Sequence, residues 1–338
     1  MVGAALLPAC VRRDKREVNP IVPGFQINRP RAPLGSAVEI TYTWTVEAGA
    51  KKVPENYRAF VGFVDSHGVL LFEDDHVPVP RPSAWEPQQT YTYTRTKFIP
   101  IYPYVGPVEI RMGLYKERDR LTLKGEDAGL RAYRVGKIEL LPQTENIFLV
   151  YKDGWHSPES SAANPSQERT WTKKEALVSF KNPKKDVIVY LEADTNFKAF
   201  PRQPVLIVSV NGKTGITVPI EDSEVFLKKI RVKAADLGAE DWVDLRLAMN
   251  QSFIPKLLTP PINGDDRELG LLVYHLSVAD AGQVGELPAG QTVEAGPLPA
   301  SALKGAPAGK GGPAVKPAPA KPAPAPAKPA PKPKKPQG

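Results

Sequence analysis

The sequence predicts an all-β protein of two consecutive antiparallel β-sandwiches followed by a disordered tail. Three observations predict this class: short runs alternate between apolar and polar residues with a period of two, glycine and proline separate these runs, and no run has the periodicity of an amphipathic helix. The chain has 338 residues, 41% of them hydrophobic, which is enough to build a core in each of two domains. We therefore expect sheets packed face to face, without covering helices.

The first sandwich is expected over residues 25–142, after a signal or lipobox remnant at 1–10 and a tether at 11–24. Its clearest strand is 38–46, where Val, Ile, Tyr and Trp alternate with Glu and Thr. Five further segments have strand composition, the first two of them joined as a hairpin by a Ser-His-Gly turn: 58–65, 69–72, 90–99, 108–115 and 130–141.

A joint at residues 142–147 connects the two sandwiches. Pro142 ends the first set of strands, and Ile147 begins a new apolar run that closes with a turn at Asp153-Gly154. Because the joint is only a few residues long, we expect the two sandwiches to pack against each other.

The second sandwich is expected over residues 146–280. Asn211-Gly212 predicts a tight hairpin turn, and Gly238 should end a single helical turn that begins at Ala234. Six segments have the composition of strands: 176–180, 186–192, 205–210, 225–232, 243–249 and 269–278.

Residues 281–338 are predicted to form the disordered tail, because Pro, Ala and Lys dominate and periodicity is lost. Residues 301–338 contain eight lysines and no acid, so they account for the whole net charge of +8. The neutral body therefore gives no reason to expect nucleic-acid binding. An extended polyproline II tail would present a line of positive charge, which could bind anionic envelope polymer weakly or serve only as a spacer.

Cys10 is the only cysteine, so no intrachain disulfide can form. Leu7-Pro8-Ala9-Cys10 resembles a bacterial lipobox, in which the cysteine is lipidated and becomes the mature N-terminus. No Lys or Arg precedes Cys10, although a secretory signal has a basic start and a longer apolar core. We expect a start site further upstream, acylation of Cys10 and anchoring to a cell-envelope membrane, on the periplasmic or surface side. An accidental match is the alternative, and an unmodified residue 1–10 segment in mass spectra of the native protein would establish it.

Motifs in both halves carry a further resemblance. The first half contains Glu73-Asp74-Asp75-His76, Trp85-Glu86-Pro87, Tyr91-Thr92-Tyr93-Thr94-Arg95, Pro103-Tyr104-Val105-Gly106 and Gly113-Leu114-Tyr115. These resemble β-sandwich modules of bacterial envelope lipoproteins, which are also appended to membrane glycosyltransferase-like proteins. The second half contains Asp153-Gly154-Trp155-His156-Ser157-Pro158-Glu159, Trp171-Thr172 and Arg267-Glu268-Leu269-Gly270-Leu271, and it is similar to galactose-binding-like and carbohydrate-binding jelly rolls. The resemblance implies an immunoglobulin-like sandwich, then a jelly roll, in the envelope, and it brings no catalytic residues.

The acidic motif Glu73-Asp74-Asp75-His76 is the densest group of possible metal ligands. Glu73 and Asp75, together with Asp127 in a later acidic turn, could bind Ca²⁺ if the fold brought them together. Consecutive strand residues point to opposite faces, so at most two of the four can reach one ion. A turn that is solvated or bonded to backbone N–H groups is the simpler interpretation, and no other cofactor is expected.

Aromatic residues in the second half are candidates for stacking on a sugar ring. Trp155 and Trp171 lie in polar surroundings, with His156 and Glu159 nearby as polar contacts, and we treat these four as the candidate ligand site. Three further aromatic residues are Tyr190, Trp242 and Tyr274; the first two lie within apolar strands and are expected to fill the core.

No nucleophile motif is present, so we expect a non-catalytic binding or assembly module of the cell envelope, with surface polysaccharide as the candidate ligand. Two alternatives remain. A polysaccharide-processing enzyme would show two carboxylates facing each other across an open groove. A purely structural scaffold of the periplasm or surface would show no such site.

Overall fold

The computed structural model describes residues 17–101, 104–160, 168–285, 287 and 290–299. Within these ranges the regular elements are β-strands and short 3-10 helices, which confirms the predicted all-β class. The 3-10 helices are Pro82–Ala84, Gln143–Glu145, Phe197–Ala199, Ala234–Leu237, Pro255–Leu257 and Ala281–Gln283. None of the described helices is long and apolar enough to cross a membrane.

In the described residues, the first sandwich contains nine strands. They are β1 Ile21–Ile27, β2 Arg31–Pro33, β3 Ala37–Val46, β4 Arg58–Val64, β5 Leu70–Glu73, β6 Gln89–Phe98, β7 Gly106–Lys116, β8 Asp119–Arg120 and β9 Tyr133–Leu141. One sheet has the order β1-β3-β6, and the other has the order β2-β9-β7-β4-β5, with β8 paired to β7. The chain changes sheets from β3 to β4, from β5 to β6 and from β6 to β7, as in immunoglobulin-like sandwiches.

Strand β3 shows why the alternating pattern predicted this core. Tyr42 and Trp44 are fully buried between the two sheets, whereas Thr41, Thr43 and Thr45 are partly exposed on the opposite side. Side chains alternate across a strand, so a period of two in the sequence becomes one buried and one outer face.

Twelve strands belong to the second sandwich in the part of the chain that the structure describes. They are β10 Leu149–Tyr151, β11 Glu159–Ser160, β12 Glu168–Trp171, β13 Glu175–Lys181, β14 Val187–Asp194, β15 Val205–Val210, β16 Thr214–Pro219, β17 Phe226–Val232, β18 Trp242–Met249, β19 Leu272–Asp280, β20 Thr292–Glu294 and β21 Gly296–Pro297. The sheets have the orders β10-β13-β18-β15-β16-β21 and β11-β12-β19-β14-β17-β20. From β13 to β19 the chain changes sheets at every step except the β15–β16 hairpin, which is a jelly-roll connectivity.

The two sandwiches meet through β3 and β6 of the first and β14, β17 and β19 of the second. Phe98 and Tyr190 pack edge to face there, within an apolar cluster of buried residues from both sandwiches. At the centre, Glu39 and Lys229 form an ion pair of 2.8 Å, and their side chains are 3% and 2% exposed. Thr96 donates a hydrogen bond to Glu39, and Lys229 donates one to Gln291.

The first sandwich begins earlier than predicted. Asn19, within the expected tether, is buried; its backbone N donates to the Thr122 carbonyl at 2.8 Å, and its Nδ2 donates to the Lys51 carbonyl at 3.0 Å. Strand β1 then starts at Ile21. The sequence places residues 17–24 in the tether because the chain becomes domain-like only from Phe25, but long-range hydrogen bonds and the pairing of β1 with β3 fix residues 19–24 to the sandwich.

The second sandwich also extends into the predicted tail. Val284 is 1% exposed, β20 pairs in parallel with β17, and β21 pairs with β16. These strands have only two or three residues, too few to show a period in the sequence. The described residues after Asp280 therefore belong to the fold, whereas Cys10 and residues 300–338 lie outside the described part.

Two aromatic residues differ from expectation. Trp242 is 53% exposed. It is the first residue of β18, lies opposite Lys181, and therefore stands beyond the end of the core layer. Tyr190 is fully buried as expected, but its ring faces the first sandwich instead of the core of its own.

Candidate ligand-binding face of the second sandwich

The sheet that contains β14 carries polar residues on the side away from the core. Leu191 and Ala193 are buried in the core of the second sandwich, and because side chains alternate, Glu192 and Asp194 point the other way. Tyr190 lies on this outer side too, under the first sandwich. The first sandwich therefore covers one end of the outer face, and Glu192 and Asp194 remain partly exposed at the other end.

Six partly exposed residues make up this uncovered part, which we call the open face: Arg169 and Trp171 of β12, Glu192 and Asp194 of β14, and Tyr274 and His275 of β19. The three strands are neighbours in the sheet, with β19 between the other two. Opposite residues on neighbouring antiparallel strands lie about 5 Å apart, so the open face is continuous.

A β-bulge allows two consecutive residues of β19 to contact this face. The register between β14 and β19 shifts at Glu192/Ala193, which leaves one extra residue on β19. Tyr274 donates a hydrogen bond of 2.9 Å from its hydroxyl to Asp194, and Nδ1 of His275 lies 2.5 Å from Oε2 of Glu192. The His275 ring also stacks on Phe98 of the first sandwich, with 4.1 Å between ring centroids.

Trp171 adds an aromatic ring to the open face. Trp171 lies opposite Leu272, and Leu272 lies opposite Asp194, so the three side chains point to the same side of the sheet. Phe253 packs edge to face against Trp171, at 5.9 Å between ring centroids. One edge of the indole is therefore fixed while the residue as a whole stays partly exposed.

Charged groups surround the Tyr274 hydroxyl. Arg169 lies close enough to Tyr274 to act on its hydroxyl electrostatically, and burial raises the pKa of both Tyr274 and Asp194. Glu159 of β11 lies opposite Arg169, which extends the polar surface to the edge of the sheet. The arrangement offers hydroxyl, carboxylate and guanidinium groups next to an aromatic ring.

Arg267 connects this edge to the loop before β19. Its guanidinium forms two hydrogen bonds with the Asp265 carboxylate, at 3.0 and 2.7 Å, and Nη2 lies 2.7 Å from Oε1 of Glu159. Arginine suits this role because its planar donors match a carboxylate in a bidentate pair. The loop is thereby held against β11.

Asp265 is expected to titrate near pH 2 when its carboxyl carbon is followed by NMR. Hydrogen bonds from Arg267 lower the pKa of Asp265 from 3.8 to about 2. Because the pKa is lower in the folded state, the stabilisation is complete above about pH 4 and is lost as the pH falls through the folded-state value. Arg267→Gln should raise the pKa of Asp265 towards 3.8. An unchanged titration in that variant would show that Arg267 is not the cause.

The structure brings the four predicted ligand residues close together but gives them different roles. Trp155 donates from Nε1 to the Leu177 carbonyl at 2.9 Å and packs partly against the core. His156 is held at both ends, by its backbone N to the Trp171 carbonyl and by Nε2 at 2.7 Å from the Glu268 carbonyl. Trp155 and His156 therefore position the strands, whereas Trp171 belongs to the open face and Glu159 lies at its edge.

Side chains of the acidic motif at residues 73–76 alternate in direction along the chain. Asp74 and His76 point inward and are 6% and 4% exposed. Tyr42 donates to Asp74 at 2.8 Å, and Tyr93 lies 2.7 Å from Nε2 of His76. Burial lowers the pKa of His76; it opposes ionisation of Asp74 too, but the charges of Arg95 and Lys97 hold the pKa of Asp74 below its usual range.

The structure corrects the calcium-site interpretation. The described residues contain no group of three or more His, Cys, Asp or Glu that could hold a metal ion, so Glu73, Asp75 and Asp127 are not brought together as such a group. Asp75 instead accepts a hydrogen bond from the backbone N of Val61, and Asp127 accepts one from Gly129. Backbone N–H groups take up these carboxylates, as the simpler interpretation predicted.

Comparison with known proteins gives distant structural likenesses. No protein-family model matches the chain, and no curated protein matches its sequence. The chain is similar to the N-terminal CBM22-1-CBM22-2 tandem domain from Paenibacillus barcinonensis Xyn10C, with 10% identity, a TM-score of 0.24, and coverage of 74% of this chain and 80% of that one. It is also similar to PfGH50B, with 8% identity, a TM-score of 0.20, and coverage of 40% and 23%. The functional form of the mosquito-larvicidal Cry4Aa toxin from Bacillus thuringiensis gives 4% identity, a TM-score of 0.25, and coverage of 78% and 53%.

Proposed function

We propose that the chain is a non-catalytic binding module that takes a carbohydrate on the open face. The observation that carries this proposal is the position of Trp171 beside the hydrogen-bonded Tyr274 and Asp194 on one partly exposed sheet face. Apolar faces of sugar rings pack on aromatic side chains, and carboxylate, hydroxyl and guanidinium groups bind sugar hydroxyls. The residues of the open face supply both kinds of contact.

The state of the carboxylates favours binding over hydrolysis. Glu192 contacts His275, Asp194 accepts a hydrogen bond from Tyr274, and Glu159 forms an ion pair with Arg267. A glycosidase needs one carboxyl as an acid and a second as a base or nucleophile across the scissile bond. Carboxylates that neighbouring side chains already hold in place are suited to bind sugar hydroxyl groups in fixed positions.

One specific observation favours the enzyme alternative. Burial raises the pKa of Asp194, and a raised pKa is what a general acid requires. Release of reducing ends from a polysaccharide by the wild-type chain, abolished in Asp194→Asn, would favour that alternative. We expect no release above the level of buffer.

A glycan array with the full chain tests the proposal. For any glycan retained by the wild type, Tyr274→Phe and Trp171→Ala should each weaken binding about tenfold or more, because each removes a central contact. Trp242→Ala is the matched control, since this tryptophan is 53% exposed on the opposite sheet. No retained glycan, or equal losses in all three variants, would contradict the proposal.

The envelope location completes the proposed function and rests on the sequence. Acylation of Cys10 would hold the binding module at a membrane, and the lysines of residues 301–338 would add weak attraction to anionic polymer or act as a spacer. The same binding module would also provide a surface for assembly with other envelope components.

A further inference from the structure

A cleft of 340 Å³ opens beside the junction of the two sandwiches, away from the open face. Its lining includes Arg29 from the loop between β1 and β2, Arg31 at the start of β2, Glu145 from the joint, and Gln283 from the 3-10 helix after β19. This volume lies at the lower end of the range for small-molecule sites, about 300–1,000 Å³. The cleft is shallow and largely open to solvent, and it has room for a ligand of the size of one sugar.

The loop that carries Arg29 is fixed against the second sandwich. Asn28 donates from Nδ2 to the Val284 carbonyl and accepts at Oδ1 from the backbone N of Glu39. Gly285, at φ +68°, lies so close to the Asn28 backbone that a Cβ atom there would be 2.7 Å from the Asn28 carbonyl oxygen. The cleft is therefore a formed feature of the junction.

Arg29 is an unusual residue for such a position. It is only 9% exposed, and its one hydrogen bond to another described residue is long, 3.4 Å from Nη2 to Oε1 of Gln283. Asp280 acts on Arg29 electrostatically, but its carboxylate contacts Lys185 at 3.2 Å and the backbone N of Gly282 at 2.8 Å. A guanidinium has five N–H donors. The Arg29 nitrogens are not among the buried atoms that lack a partner in the described part of the chain, so the donors not used for Gln283 face the water in the cleft.

The neighbouring groups define which acceptor could replace water at Arg29. Arg31 already pairs with Glu139 at 2.7 Å and is largely exposed, so it stands at the rim. Glu145 would repel a doubly charged anion such as phosphate, but it can accept hydrogen bonds from hydroxyl groups. A single carboxylate combined with hydroxyls satisfies both Arg29 and Glu145.

We propose that this cleft binds a carboxylate-bearing sugar of the uronic acid class. The carboxylate lies against the planar donors of Arg29, and the sugar hydroxyls contact Glu145 and Gln283. Bidentate arginine–carboxylate contacts are among the strongest hydrogen bonds in proteins. The cleft shares no residue with the open face, so a failure to bind glucuronate would leave the proposed function untouched, and the reverse also holds.

Calorimetric titration of the full chain with glucuronate, glucose and inorganic phosphate tests the cleft. Glucuronate should bind at least about tenfold more tightly than glucose or phosphate. Arg29→Lys keeps the charge but removes the planar fork, and it should weaken glucuronate binding about tenfold. Arg134→Lys is the matched control: this arginine pairs with Glu109 and Glu126 outside the cleft, so the affinity should stay unchanged. Glucuronate no tighter than glucose, or an Arg29→Lys variant with wild-type affinity, would overturn the proposal.

The methyl ester of glucuronate provides a test on the wild-type chain, in case Arg29→Lys disturbs the junction. The ester keeps the ring and hydroxyls but loses the negative charge. We expect the ester to bind about tenfold more weakly than glucuronate, as glucose does. Equal binding of the ester and the free acid would also overturn the proposal.

Discussion

Gly154→Ala is expected to lower the free energy of unfolding by more than about 4 kcal/mol. Gly154 has φ +88°, and a Cβ atom there would lie 1.9 Å from the Glu175 carbonyl oxygen and 2.7 Å from the Ala176 Cα. Both obstacles are backbone atoms, so no side-chain rotation can relieve the overlap. The turn or β13 would have to move, and Trp155 and His156, which follow directly, would lose their contacts.

Gly212→Ala is the matched control for this substitution. Gly212 also has a left-handed backbone, φ +65°, but nothing lies within 4 Å of the position of its Cβ. Its replacement should cost only the backbone strain, about 1–2 kcal/mol. Urea unfolding of both variants measures the difference. Equal costs would show that the approach to Glu175 does not matter.

Lys229→Ala is expected to cost about 3–5 kcal/mol, because Glu39 would remain buried without a countercharge. The two groups are 2.8 Å apart and almost fully excluded from water. Lys124→Ala is the control: its pair with Glu47 has a similar distance, 2.7 Å, but the side chains are 56% and 36% exposed. Exposed pairs contribute at most about 1 kcal/mol, so this variant should be nearly as stable as the wild type.

A double-mutant cycle separates the charge effect from the loss of packing. Glu39→Gln combined with Lys229→Met removes both charges and keeps most of the volume. Such replacements of a buried pair are often neutral or stabilising, so the double variant should be more stable than Lys229→Met alone. Additive losses from the two single changes would mean that the groups do not interact.

The first sandwich was the more predictable half from the sequence. The alternation around Tyr42 and Trp44 identified β3, since one face of a sandwich strand must be apolar. Strand β16 was missed, although Asn211-Gly212 marked the turn before it, because it is short and ends in Pro219. The parallel pairings of β2 and β20 depend on distant strands, which a local pattern does not report.

The candidate site was predicted only in part. Trp171 and Glu159 were identified by their polar surroundings, and Tyr274 as one of several aromatic residues. Strict alternation would place Tyr274 and His275 on opposite faces, and only the bulge in β19 allows both to contact carboxylates of β14. Glu192 and Asp194, two positions apart at the end of an apolar strand, were the available signal for a polar outer face.

The buried ion pair at the junction also bears on how the chain folds. The first sandwich precedes the second along the chain, so the surface that later meets the second sandwich faces water until that sandwich has folded. Glu39 then keeps a hydrated charge next to Ala37 and Phe98, which makes that temporary surface less prone to self-association. Its hydration is given up only when Lys229 arrives, so the nascent chain favours its own second half over a neighbouring copy.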